Sequence, residues 1–337
     1  MLRSIARLFS VPDKLAMRGL MRGMTAQIDL MTTSALFRSQ VLQHLKTPRS
    51  LEELSAATGI DEPEVLRHLL DLGVRRRLLH CRRGRYSARS HLTRTMVRDP
   101  HGAIASMLQE VATYHHEVFD RLPERLGGQP PRDYLHQYGG VVAQSSRIMA
   151  PWIHDFTSGV VGQERGKAIL ELGCGSGAYL AFYAGLHEGH SGHGIDFDPA
   201  VVAAAQRLLA EAGLDDRFTV QRGDMREAAS WPEGPFDVIT AHQNVYYFEA
   251  EERLALWRAC RERLSDAGRL VIVTPTSGGP LSDYFSLILL STEGCYRLPS
   301  VGELVTELKA AGLQLARRER LIPGDAVWGI EARIPSR

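Results

Sequence analysis

The chain has 337 residues, 44% hydrophobic and 23% charged, which is ordinary for a globular protein but long for one domain of about 100 to 200 residues. Forty Lys and Arg against 39 Asp and Glu leave a net charge of +1, so no chain-wide field is available to hold nucleic acid or an anionic membrane. Cys81, Cys174, Cys260 and Cys295 form no CxxC pair, which argues against a metal site or a disulfide framework and for a reducing cytoplasm.

In chain order, Met1 to Pro12 lacks an apolar h-region, and the early Arg3 and Arg7 leave a transit peptide as the lesser reading. Residues 26–98 read as short helices followed by a basic hairpin. Ser50 and Glu53 form a capping box that opens a helix through Ala57, Gly59 turns the chain, and Asp61 caps a second helix that Gly73 stops after Leu72. Leu78 to Tyr86, broken at Gly84, predicts two short strands, and the whole reads as helix, turn, helix, wing. From His101 to Val161 the pattern is helical, interrupted at Gly127 to Pro131 and again at Gly139 and Gly140. His115 and His116 on that stretch are expected at a surface or interface.

After Gly166 strands and helices alternate. Strands are expected at 168–172, 192–195, 218–221, 236–241 and 269–274, with helices from Ser176 and Pro199 and near 250–264 and 301–311. Such alternation predicts a parallel sheet covered on both faces, and Leu313–Leu321 with Ala326–Ile334 should form an antiparallel edge hairpin. The longest apolar run, Tyr284 to Leu290, is far shorter than the roughly 20 residues of a membrane helix. The expected division is 1–100, 101–165 and 166–337.

The sharpest motif is Glu171-Leu-Gly173-Cys-Gly175-Ser-Gly177, between an apolar strand and a helix. Glycines let the chain turn tightly and let a ligand approach the backbone, whose free amides favour an anionic group. Asp196 ends the next strand, where an acid can accept ribose hydroxyl protons. Gly173, Gly175 and Ala178 also satisfy the dinucleotide pattern GxGxxG/A, so spacing alone leaves NAD open.

The third and fourth strands decide between the two cofactors. Arg222-Gly223-Asp224-Met225 ends the third strand and Phe236-Asp237-Val238-Ile239 opens the fourth, and with these the chain strongly resembles the class I S-adenosylmethionine-dependent methyltransferases, an α/β Rossmann-like family. The resemblance makes Glu171, Gly173, Gly175 and Gly177 the cofactor loop and Asp196 the ribose ligand, with Phe197 as a further cofactor contact. It makes Asp224 with Met225 the adenine side, and Ala241 to Asn244, including His242, the edge facing the methyl donor. The front half is similar to the degenerate winged-helix dimerisation domain of small-molecule O-methyltransferases, which implies a homodimer. It also makes residues 138–156 a pocket cover, with Met149, Trp152 and His154 toward the substrate. Tyr247, and Tyr284, Phe285 and Cys295 on the insertion after the fifth strand, are expected to wall the acceptor.

One departure bears on mechanism. That family carries a base histidine in a pattern like LHxWxDEE, and Tyr246 stands in its place in Val245-Tyr-Tyr-Phe-Glu-Ala-Glu-Glu252. A phenol with an ordinary pKa of about 10 is a poor base at neutral pH. His242 and Tyr246 are therefore the catalytic candidates, with a base not strictly required. Two other functions stay open: cleavage or cyclisation of S-adenosylmethionine, and a DNA-binding regulator that senses it. Glu62 and Glu64 at the start of the recognition-like helix disfavour the second.

Overall fold

The computed structural model describes residues 13–162 and 165–335, so Arg3 and Arg7 lie outside the described residues. The chain divides into two compact units: residues up to Phe119 with Gly140–Ser145, and Asp120–Gly139 with the chain from Ser146 onward.

The first unit opens on one long helix, Lys14–Arg38, capped by the Asp13 side chain, where the sequence suggested only short ones. Along it Met17, Leu20, Met21, Met24, Ile28 and Met31 are exposed, and their spacing of three and four places them on one stripe. Leu36 and Phe37 at its other end are buried with Leu42, Leu54, Leu66, Leu70 and Met96 in a single core. The helix Leu51–Thr58 carries the expected Ser50–Glu53 capping box and ends at Gly59.

Two readings of the next helix are corrected. It runs from Pro63 to Arg75, and its N-cap is Glu62 without a side-chain hydrogen bond, not Asp61. Pro63 in the first turn needs no amide partner, which replaces the cap signal. Gly73 sits inside the helix rather than ending it, because a Cβ there would be 3.1 Å from Leu79 Cδ1. The glycine is a packing residue that lets the hairpin approach. That hairpin joins β1 (Leu79–Arg82) to antiparallel β2 (Arg85–Ala88).

Helix Ala103–Glu110 continues through one π turn, Val111–His115, into His116–Asp120. His116 is exposed, but His115 is buried, 3.1 Å from Glu110 Oε1, and Ser145 Oγ donates to the same carboxylate. Gly139 and Gly140 do not interrupt the helix Tyr134–Ser145. No helix among the described residues is long and apolar enough to cross a membrane.

The second unit is a seven-stranded sheet. Its strands are β3 (Ala168–Leu172), β4 (Ser191–Asp196), β5 (Phe218–Arg222), β6 (Phe236–His242), β7 (Leu264–Pro275), β8 (Gln314–Arg320) and β9 (Val327–Arg333), in the order β5-β4-β3-β6-β7-β9-β8. Pairings from β5 to β7 are parallel and β9 runs antiparallel to β7 and β8, so the expected doubly wound α/β fold with an edge hairpin is present. Strand β7 begins at Leu264 rather than Arg269, because Leu264 pairs with Phe236 before an irregularity in register.

Alternate residues of the central strands feed two cores, as strands covered on both faces require. Leu170, Ile239 and Ile272 point to one, closed by helices Ala250–Arg263, Pro280–Leu290 and Val301–Ala310. Ile169, Val238 and Val271 point to the other, closed by Ala150–Val161, Ala178–Leu186 and Pro199–Glu211. The helix Pro280–Leu290 has no counterpart in the sequence reading. Its apolar run shows no clear period, and a short apolar run does not by itself distinguish helix from strand.

Within the first core, Arg253 donates to Glu307 through Nε (3.1 Å) and Nη2 (2.7 Å) and to Phe248 O through Nη1 (2.8 Å). The Arg253 and Glu307 side chains are 5% and 13% exposed. A charge left there alone would be stranded. Arg253→Met is therefore expected to cost about 3–5 kcal/mol, read by denaturant unfolding, and Arg253→Met with Glu307→Leu should recover part of the loss.

Candidate active site

In the sheet order the chain leaves β3 toward β4 and β5 on one side, while β6 leads toward β7 on the other. Loops leaving the carboxyl ends of β3 and β6 therefore part, and the crevice between them is where open α/β sheets hold ligands. The motif residues gather along this edge.

Gly173, Gly175 and Gly177 have φ of 64°, 51° and 75°, a left-handed region that costs other residues about 1–2 kcal/mol. A Cβ on Gly173 would stand 3.1 Å from Asn244 Nδ2 and 3.2 Å from Met225 Sδ, whereas on Gly175 it would face open space. Gly177 is the N-cap of the helix starting at Ala178, two residues later than the sequence suggested.

Asp196 is held from both sides: Gly175 N–H donates to Oδ2 (3.0 Å) and Asp198 N–H to Oδ1 (3.1 Å). Burial raises its pKa, and the amides of Asp198 and Gly175 pull against that rise. Phe197 beside it is 73% exposed. Asp224 Oδ1 accepts the Arg226 N–H (2.8 Å), and Trp231 Nε1 donates to Asp224 O (2.9 Å), which fixes the loop.

The turn after β6 closes the crevice. Asn244 Nδ2 donates to Leu172 O (2.8 Å) and reaches Met225 Sδ (3.6 Å), while its buried Oδ1 has no protein partner. Gln243 before it is left-handed at φ 54°, and its Nε2 donates to Ser146 O (3.3 Å). Backbone held in this region by surrounding bonds is a mark of functional turns.

His242 points away from this turn, toward the core beneath helix Ala178–Leu186. Its Nε2 shares a hydrogen bond of 2.9 Å with the Tyr183 hydroxyl, and its Nδ1 is buried without a partner. Burial, with a smaller contribution from nearby His154, holds the imidazole at about 3. Glu171 on the same side is 1% exposed; burial and the charge of Asp196 push its carboxyl well above the usual range, and its Oε2 is unpartnered.

The residues assigned to the acceptor separate into two groups. His154 stacks on Phe182 at 3.7 Å and meets Tyr179 edge-on at 5.7 Å, and Met149 packs against the same core. Trp152 is 37% exposed. On the other face Tyr246 lies 4.8 Å from the Tyr247 ring and 5.4 Å from that of Phe285, with Cys295 against the same core. Tyr284 neighbours Phe285 on the helix Pro280–Leu290.

This edge suits a nucleoside carrying a charged tail. It offers a left-handed glycine turn open to approach, a fixed carboxylate with an exposed aromatic beside it, and buried acceptors without protein partners. Residues 169–268 match the family model described as a methyltransferase domain. The second unit contains a methyltransferase domain.

A curated relative over about two thirds of the chain and solved structures over most of it are also methyltransferases. The chain is 28% identical over 255 residues to demethylspheroidene O-methyltransferase of Cereibacter sphaeroides, a match covering 69% of this chain and 63% of the relative. The chain thus spans less than two thirds of that protein's length. Among solved structures, the mitomycin 7-O-methyltransferase MmcR superposes with a TM-score of 0.79 at 17% identity, covering 95% of this chain and 98% of that one. An O-methyltransferase from neocarzinostatin biosynthesis, solved with S-adenosylmethionine and 2-hydroxy-5-methyl naphthoic acid, gives 0.69 at 18% identity over 91% and 96%. These likenesses establish the class I methyltransferase fold.

Around the methyltransferase domain's glycine loop, Tyr179 and Tyr183 were not singled out in the sequence, and Gln243 and Asn244 were covered by the 241–244 edge without roles of their own. Tyr179 and Tyr183 carry a signal, four apart on one helix face. Gln243 carries none, since its left-handed backbone belongs to the turn rather than to the residue type.

The neutral imidazole gives a pH test. Unfolded, His242 takes up a proton below about 6.5, and folded only near 3, so folding loses stability as pH falls through that interval. The loss should approach 1.4 kcal/mol per pH unit in wild type and be reduced in His242→Gln, as measured by urea unfolding between pH 6.5 and 3.5.

Proposed function

We propose that the chain is an S-adenosylmethionine-dependent methyltransferase acting on an oxygen or carbon of a small metabolite, of the kind found in secondary metabolism. The observation that carries this reading is the left-handed glycine loop bonded to Asp196 at the crevice of a methyltransferase domain.

The residues fit that cofactor. Gly173, Gly175 and Gly177 would pass its methionine part, with the buried carbonyl of Asn244 and the carboxyl of Glu171 nearby as acceptors. Asp196 would hold the ribose hydroxyls, and Phe197, Asp224 and Met225 would enclose the adenine. When bound, S-adenosylmethionine supplies an electrophilic methyl group on a sulfonium centre.

The chain's own contribution is placement and exclusion of water. Holding a nucleophile in line with a preactivated carbon supplies much of such a catalysis. His242, neutral and bonded to Tyr183, acts as a positioning residue behind the turn that carries Asn244. A base held near 3 is mismatched to neutral pH. Tyr246 is 6% exposed and with Tyr247 and Phe285 would form an aromatic wall whose faces favour a cationic sulfonium, with Tyr284 next to Phe285 on the same helix. Cys295, pushed up to about 12 by burial, remains a neutral part of that wall. Met149, Trp152 and His154 would line the opposite side. A phenol, a carboxylate or an acidic carbon next to a carbonyl suits a site arranged in this way.

The first unit is a winged helix in this reading, with helices Leu51–Thr58 and Pro63–Arg75 and the β1–β2 hairpin as its parts. The exposed stripe from Met17 to Met31 serves a second copy of the chain. The free cysteines suit a reducing cytoplasm.

Two measurements test these readings. Calorimetric titration should show S-adenosylmethionine and S-adenosylhomocysteine binding to wild type, weakened about 10- to 100-fold in Asp196→Ala, the loss of a charged hydrogen-bond acceptor; no binding to folded wild type would overturn the cofactor. Light scattering should give a dimer that Met21→Glu with Met24→Glu converts to monomer; a monomeric wild type would overturn the pairing.

A further inference from the structure

Arg226 follows the adenine-side pair Asp224-Met225, and its contacts gather three separate elements. Its backbone N–H donates to Asp224 Oδ1 (2.8 Å), and its Nη1 lies 3.7 Å from the same oxygen. Its Nη2 donates to Tyr247 O (2.6 Å), and the guanidinium lies 4.6 Å from the centre of the Phe248 ring. Its Nε donates to Glu252 Oε1 (3.3 Å), in the first turn of helix Ala250–Arg263. One planar group therefore ties the loop after β5 to the aromatic turn after β6.

The fork geometry suits this task. A guanidinium presents donors in several directions at once and lies over aromatic faces, whereas an ammonium offers a single point of charge. The arginine is 43% exposed, so its ion pairs add little stability. Their placement matters more. Tyr247 and Phe248 follow Tyr246, whose ring lies against Phe285, so the turn held by Arg226 is the acceptor wall.

Resting on the cofactor reading above, we propose that Arg226 is a positioning residue that couples the adenine side of the cofactor site to the acceptor wall. Nucleoside bound at Asp224 further restrains a loop already bonded to Trp231, the loop steadies the guanidinium, and the guanidinium steadies the turn Val245–Phe248. Ligand that orders one end of such a link makes ordering of the other end less costly. Cofactor and acceptor would then each tighten binding of the other by the same factor.

The test is hydrogen exchange of residues 245–249 with and without saturating S-adenosylhomocysteine, in wild type, Arg226→Met and Arg226→Lys, with affinity measured in parallel by calorimetry. Wild type should show exchange slowed about fivefold or more on binding. Arg226→Met, which keeps the apolar stem, should still bind the ligand but lose that slowing, and Arg226→Lys should restore part of it. Protection of the glycine loop at 173–177 should persist in all three, which a general loss of structure would not allow. Equal protection of 245–249 in Arg226→Met, or none in ligand-bound wild type, would overturn the coupling and leave the cofactor reading intact. Failure of wild type to bind the ligand would overturn both.

Discussion

The parallel pairing of β3 with β6, Leu172 opposite Ala241, is the constraint on which the site depends. It brings two chain segments out of the sheet side by side while their onward connections part. The hydrogen bond from Asn244 to Leu172 O spans this junction, and the same side chain touches Met225 from the loop after β5. Through one amide, three loops far apart in sequence are held within a few ångströms. A glycine at 173 is then a steric requirement as well as a conformational one, since a Cβ there would meet Asn244 and Met225.

Behind this junction the structure keeps polar groups in an apolar core. His242, Tyr183 and Glu171 lie on the face that also buries Ile169 and Val238, where a charge would be costly. Burial eases the cost by lowering the imidazole's pKa and raising the carboxyl's, which favours the uncharged form of each. A histidine at the end of β6 looks from the sequence like a base facing the methyl donor. In the fold it packs behind the turn against Tyr183, while Tyr246 and Phe248 pack in the core on the other face of the sheet. Methyl transfer by placement is consistent with this distribution, as a preactivated carbon asks for alignment more than for proton transfer.

The alternation of strands and helices after Gly166 was readable because fully covered parallel strands are short apolar runs between turn residues, and helices Pro199–Glu211, Ala250–Arg263 and Val301–Ala310 start at capping residues. The glycine loop and Asp196 stood out as candidates because they lie at or just past strand ends, and Asp224 because the order of motifs resembles a known family. The same logic failed where a signal had two physical meanings. Gly73 read as a stop but serves close packing against Leu79. Gly139 and Gly140 read as a break but lie within a helix. The apolar run after Tyr284 had no period to declare it a helix.

The sequence alone therefore determined the fold class, the motif order and which edge of the sheet carries the candidate residues, because these depend on local periodicity and on residue types at strand ends. The tertiary structure alone decided the environment of each candidate. It placed His242 behind the turn and Tyr246 against Phe285, and it divided Met149 and His154 from Tyr247 and Cys295. It also gave Arg226 partners from three elements. Protonation, burial and coupling depend on neighbours brought together across the sheet, and no spacing along the chain specifies who those neighbours are.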